Sequence, residues 1–216
     1  MKEYPSDNPK AVFLAITLQM FQQLTGVNVL VIYGNELALS FLPQLQHTFP
    51  LMINGEKTLV AVFAVLLLAK FGRRRLLLIG QLFLIVTSFG VFVGYLNHED
   101  ESNRYWTSPL ILASFFVFIL SFVSTFGPIP WLYIPEIVQP PIVPIATVTN
   151  WTFCSIIVFS FPVIRAHSAN KGCPYAFLFF GLCTSLYFCI TYKLMVESKG
   201  KTELEIREGF NEISLC

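Results

Sequence analysis

The strongest constraint on this chain is the spacing of its apolar runs. Six long stretches carry almost no charge, and polar loops separate them. A helix that crosses the hydrocarbon core of a bilayer needs about 20 predominantly apolar residues. Inside a bilayer the backbone must satisfy its own hydrogen bonds, and runs of this length do so as helices. The chain has 216 residues, of which 55% are apolar and only 12% charged. Ordinary soluble domains carry roughly 25% charge, so a soluble fold of this size has nowhere to hide such a surface. The sequence predicts an all-α membrane protein with six spans in one bundle, over residues 11–42, 49–71, 76–96, 108–131, 141–164 and 174–196. Residues 1–10 read as a polar cytoplasmic segment rather than a cleaved leader, and residues 197–216 as a polar cytoplasmic tail that starts with a short surface helix.

Lys and Arg distribution sets the orientation. The side that holds both termini carries ten of them, including Lys70 and Arg73 to Arg75; the other side carries Lys57, Arg104, Arg165 and Lys171. Both termini are therefore expected in the cytoplasm, with the plasma membrane as the default location. The net charge of +1 gives no basic surface for nucleic acid. The five cysteines form no C-x-x-C pair and read as buried free thiols. His47, His98 and His167 fall in expected outer loops. No phosphate loop, H-E-x-x-H or Ser/His/Asp grouping is present, so neither an enzyme, nor a metal site, nor a cofactor is expected.

Polar residues inside a span are costly unless they find partners, and they mark bundle interiors or solute pathways. The first span carries Gln19, Gln22, Gln23, Asn28, Tyr33, Asn35 and Glu36. On an ideal helix Gln19, Gln22 and Gln23 share a sector of about 100°, whereas Asn28 lies about 140° from Gln23. Both reach one cavity only if the helix is distorted near Thr25-Gly26, which glycine permits. The amides serve either as glue between helices or as ligands for a neutral, hydroxyl-rich solute, because each offers donors and an acceptor. The fourth span contains Gly127-Pro128-Ile129-Pro130-Trp131, where two prolines remove two backbone donors and break the helix. Broken helices recur at transporter binding sites, although a packing kink reads equally from this pattern alone. Trp131 and the Asn150-Trp151 pair add flat aromatic faces, and Trp151 also reads as an interfacial anchor. Arg73, Arg74, Glu136 and Glu197 gather at the cytoplasmic ends, either as ion pairs that hold helix ends together or as ordinary positive-inside charge with solvated acids.

Five segments in order resemble the sugar porters, the glucose-facilitator family of the major facilitator superfamily. Gln22-Gln23-Leu24-Thr25-Gly26-Val27-Asn28 resembles the Q-Q-L/F-S/T-G-I/V-N of the family's seventh helix. Gly72-Arg73-Arg74 resembles the G-R-R between helices eight and nine, and Gly127-Pro128-Ile129-Pro130-Trp131 with Pro135-Glu136 resembles the tenth helix. Asn150-Trp151-Thr152 resembles the eleventh, and Val196-Glu197-Ser198-Lys199-Gly200-Lys201-Thr202 the end of the twelfth. The resemblance covers residues 10–210 and implies the C-terminal six-helix half of the major facilitator fold. It implies that Gln22, Gln23 and Asn28 hydrogen-bond a hexose, with Trp131 and Asn150 completing that side and Phe122 and Trp151 as aromatic neighbours. It implies that Arg73, Arg74, Glu136 and Glu197 form a cytoplasmic gate, and that alternating access comes from rocking this bundle against a second one.

The departures from the family pattern bear on that reading. The position three residues before the G-R-R is Ala69 rather than an acid, and Lys57 aligns with a sugar-contacting asparagine. An expected glutamate is replaced near Val123, and the loop after Glu136 lacks its arginine and is about four residues short. Glu36 is an addition, expected to pair with Lys57 or to sit in the outer loop. Family members have about twelve helices in two halves, so a partner N-terminal six-helix half is expected, supplied either by the rest of a longer protein or by another chain. The readings left open are a facilitator half, a proton-coupled symporter half, and a degenerate membrane module that does not transport.

Overall fold

A computed structural model of the chain describes residues 8–39, 48–167 and 172–213. The expected end of the first span at residue 42, His47 and Lys171 lie outside them. Among the described residues the structure is helical, with six spans long and apolar enough to cross a membrane. The first span is two helices, α1 (Pro9–Leu24) and α2 (Val27–Leu39); the next two are α3 (Phe49–Lys70) and α4 (Arg73–Asn97). The fourth combines α5 (Arg104–Ser121), a π-helical turn (Phe122–Phe126) and α6 (Pro128–Ile137). Then come α7 (Ile142–His167), α8 (Gly172–Leu194) and the short α9 (Glu203–Glu212).

The distortion near Thr25-Gly26 that a shared cavity would require is present. Gly26 has φ +80°, a left-handed backbone that L side chains rarely adopt. A Cβ there would also sit 2.3 Å from the Phe180 ring, so α8 crosses the break at the closest distance glycine allows.

The fourth span breaks higher than the prolines suggest. The Gly127 N–H donates to Phe122 O at 2.7 Å, an i→i−5 bond that widens the turn ahead of Pro128. Pro128 and Pro130 then occupy the first turn of α6, where helical N–H groups have no intrahelical partner anyway. The helix therefore continues to Ile137, six residues past the expected end at Trp131. Hydroxyls fill in around the wide turn: Ser121 Oγ donates to Val117 O, Ser124 Oγ to Leu120 O and Thr125 Oγ1 to Ser121 O.

The bundle centres on α4, which packs against α8 and α5, while α1 packs against α7. A Cβ on Gly80 would fall 1.9 Å from Thr125 Oγ1, so α4 lies directly against the π-turn. The rings of Phe21 and Tyr187 stack at 4.6 Å and those of Tyr187 and Phe126 at 5.9 Å, a column that joins α1, α8 and the π-turn. By contrast α3 and α7 bury few residues and present Leu59, Val62, Phe63, Phe159 and Val163 outward. Free Cys154 and Cys183 are half-buried and Cys189 is exposed on the outside of α8, so these thiols are less enclosed than the composition suggests.

The tail helix begins at Glu203 rather than near Glu197, behind a capping box in which Thr202 and Glu205 bond reciprocally. Its Ile206 and Phe210 are buried, and it packs against α6. Lys10 Nζ donates to the Phe210 and Ile213 carbonyls, which closes α9 against the start of α1.

Replacing Gly26 with Ala is expected to lower stability by about 1–3 kcal/mol through the backbone alone. The Phe180 contact adds to that cost. Gly200→Ala, at φ +72° with open space around it, isolates the backbone part. Thermal unfolding of the purified chain in lipid nanodiscs should show a larger drop for G26A than for G200A; equal drops would show that the ring contact is unimportant.

Candidate functional site: an amide relay and an ion-paired lock at the helix ends

The break at Gly26 brings α1 and α2 amides to one place. Four side-chain amides hand hydrogen bonds on in series. Asn28 Nδ2 donates to Gln23 Oε1. Gln23 Nε2 donates to Asn150 Oδ1 at 2.9 Å, and Asn150 Nδ2 to Gln22 Oε1 at 2.7 Å. Gln22 Nε2 ends the series on the main-chain oxygens of Phe126 and Gly127, at 2.7 and 2.9 Å. Phe126 O is the carbonyl that would meet the N–H of residue 130 in an unbroken helix, and residue 130 is proline. Gln22 therefore satisfies an acceptor that the proline left without a partner.

That terminal carbonyl fixes the polarity of the whole relay. A carbonyl only accepts, so Gln22 must present its NH2 there and its oxygen to Asn150. The same logic runs outward through Asn150 and Gln23 to Asn28, whose NH2 is committed and whose Oδ1 receives no donor among the described residues. Burial follows the same gradient: Gln22 is 3% exposed, Asn150 1% and Gln23 8%, while Asn28 is half-buried. Gln19, also buried, accepts from Asn150 through both its main-chain and its side-chain oxygen.

Of the residues expected at a sugar site, Gln22, Gln23, Asn28 and Asn150 thus come together directly. Phe122 lies at the head of the π-turn, with its ring 6.2 Å from that of Phe126. Trp131 and Trp151 stand outside the relay. Trp131 lies one turn past the carbonyls that Gln22 holds, and Trp151 follows Asn150; both rings are exposed, at 43% and 61%.

The four charged residues expected at one end of the bundle also come together, with one ion pair among them. Arg73 Nη2 pairs with Glu136 Oε1 at 3.0 Å, and Glu136 Oε2 accepts from Ser198 Oγ at 2.6 Å. Glu197 accepts from the main-chain N–H groups of Arg73 and Arg74 at 2.8 and 3.1 Å. Gly72, the N-cap of α4, has no side chain to serve those N–H groups, so a carboxylate from the far end of the chain does so, at the positive pole of the helix. The fit is close, since a Cβ on Gly72 would lie 2.1 Å from Glu197 Oε2. The Arg74 guanidinium donates to Tyr192 O at 2.7 Å and lies 5.7 Å from the Tyr192 ring centre. At Ala69, where the family pattern has an acid, the main-chain oxygen accepts from Lys199 Nζ instead. Beside this lock is a cleft of about 470 Å³ walled by Arg73, Glu136, Gln139, Ser198, Lys201 and Arg207.

One charged feature differs from the sequence expectation. Glu36 pairs with Arg165 at 2.6 Å, not with Lys57. Lys57 lies within α3, inside the expected second span, beside Glu56, whose buried Oε2 has no hydrogen-bond partner among the described residues. Glu56 stands in the sequence beside Lys57, in the polar stretch Asn54-Gly55-Glu56-Lys57-Thr58 that interrupts the second span.

The family model described as "Sugar (and other) transporter" matches residues 2–210. The facilitated trehalose transporter Tret1 of Polypedilum vanderplanki is 34% identical over 208 residues, covering 92% of this chain and 40% of that protein. The facilitated glucose transporter member 2 of solute carrier family 2 from Gallus gallus is 27% identical over 210 residues, covering 95% and 38%. The inward-open xylose transporter XylE from E. coli has the same fold, with a TM-score of 0.72 at 22% identity, over 93% of this chain and 42% of that one. The chain thus spans about two-fifths of the length of these relatives.

Leucine at either end of the Gln22–Asn150 bond strands buried polar partners, at about 1–3 kcal/mol for each group left unpaired. Q22L and N150L are each expected to lower the unfolding midpoint in nanodiscs. Because both break the same bond, the double variant should cost less than the sum. Strict additivity would show that the relay is not one unit.

Proposed function

The chain belongs to the sugar (and other) transporter family, and on that footing we propose that it supplies the C-terminal half of a facilitative transporter for a glucose-like hexose, working by alternating access. The observation that carries this reading is the polarity of the amide relay. It ends at a half-exposed Asn28 whose Oδ1 meets no donor among the described residues and so offers the acceptor a sugar hydroxyl needs. Gln22 and Asn150 support the site from behind, while Trp131 and Trp151 offer apolar ring faces that suit the C–H faces of a pyranose. Gln23 lies between the two roles.

Alternating access needs a counterpart. The lightly buried α3 and α7 and the length of the relatives support a partner of six helices, which completes the cavity. The lock of Arg73, Glu136 and Glu197 ties the cytoplasmic ends of α4, α6 and α8 together, and its release goes with the inward-open state. We place both termini in the cytoplasm and the protein in the plasma membrane. With Lys57 inside α3, the positive-inside bias is stronger than the raw count.

A disaccharide built of glucose is the second reading. It is favoured by the higher identity to the protein named as a trehalose transporter, 34% against 27% for the protein named as a glucose transporter. The test is uptake of labelled glucose and labelled trehalose by transport-deficient cells that express this chain together with the N-terminal half of a related facilitator. Saturable uptake of one sugar is expected, and N28A or W131A should weaken its apparent affinity about tenfold each. No uptake of either sugar would defeat the transport reading and favour a membrane module without transport activity.

A further inference from the structure

Tyr133 belongs neither to the relay nor to the ion pairs, yet it is fully buried at the cytoplasmic end of α6, between Trp131 and Glu136. Its hydroxyl donates to Val196 O at 2.8 Å. A buried tyrosine hydroxyl needs a partner, and what this partner carries is informative. Val196 lies past the end of α8, in the non-helical segment before α9, and the next residue is Glu197. The Glu197 carboxylate reaches the first N–H groups of α4 only if the chain leaves α8 in one direction.

Helix α6 grips that segment on both sides of Glu197. Tyr133 holds residue 196 through its carbonyl, and Glu136, three residues further along the helix and so on the same face, holds Ser198 through its hydroxyl. The two contacts bracket the carboxylate that caps α4.

We propose that Tyr133 is a positioning residue of the cytoplasmic lock: its bond to Val196 O aims Glu197 at the start of α4, so that α6 and the α4 cap engage and release together. The grip makes displacement of the α6 segment that carries Trp131 also a displacement of the cap. The consequence for transport rests on the function proposed above; the positioning role does not.

Amide hydrogen exchange of the chain in lipid nanodiscs tests it without any transport assay. The quantity read is the exchange rate at the Arg73 and Arg74 amides relative to that at Leu84 and Val91 inside α4, so that a general loss of folding stability cancels. Tyr133→Phe removes one oxygen and keeps the ring. It is expected to raise that ratio about tenfold, the worth of one hydrogen bond. Glu197→Gln should raise it as well, and adding Y133F to E197Q should raise it no further. An unchanged ratio in Y133F, or a further rise in the double variant, would overturn the proposal. Absence of sugar uptake by the unmutated chain with its partner half would defeat the transport reading and leave the exchange result standing.

Discussion

A polar group in hydrocarbon must find a partner, and the Phe126 carbonyl has lost the one an α-helix would give it. Pro130 denies it the usual N–H, and Gln22 supplies a substitute. That single bond orients Gln22, and through it Asn150, Gln23 and Asn28. Together with the bonds of Gln22 and Gln23 to Asn150, it links α1, α7 and the π-turn of the fourth span, three elements far apart in sequence. The kink at Gly26 follows as a requirement: without it Asn28 would face away from Gln23 and the relay would stop one residue short of the surface.

The lower layer uses the same physics with charge. The open N-terminus of α4 lacks a side-chain cap because its N-cap is Gly72, and Glu197 occupies the space a side chain there would take. The carboxylate that fills the gap is held from α6 at 196 and 198 and joined by the Arg73–Glu136 pair. Helix α6 is common to both layers. Its N-terminal end follows the carbonyls held by Gln22, and its C-terminal end carries Tyr133 and Glu136. In a bundle built this way one helix, α6, touches both the amide relay and the charged cluster at the helix ends.

Much of this is readable in the amino-acid sequence. The six spans follow from apolar length, and the helix distortion follows from the angular offset of Asn28 together with Gly26. The gathering of Arg73, Arg74, Glu136 and Glu197 follows from their shared depth at helix ends. What was not readable depends on contacts between distant segments. The prolines announced a discontinuity, but the wide turn sits upstream because Pro128 and Pro130 are tolerated in a first helical turn. Glu36 found Arg165 rather than Lys57, since α2 and the end of α7 meet at that level. Tyr133 looked like one more aromatic in an apolar run; only the path of the chain after α8 gives its hydroxyl a purpose. The division of labour among the amides was equally hidden, because which glutamine is committed to protein and which amide is left open depends on where the relay ends.

That division is the claim most open to direct measurement. With the side-chain amides of Asn and Gln labelled and the chain assembled with a partner half, NMR can follow each NH2 resonance as glucose or trehalose is added. Asn28 is expected to shift most and Gln23 to follow, while Gln22 stays in place because its donors remain on the Phe126 and Gly127 carbonyls. A shift at Gln22 as large as that at Asn28, or no shift at any of the three with sugar at saturation, would contradict the claim.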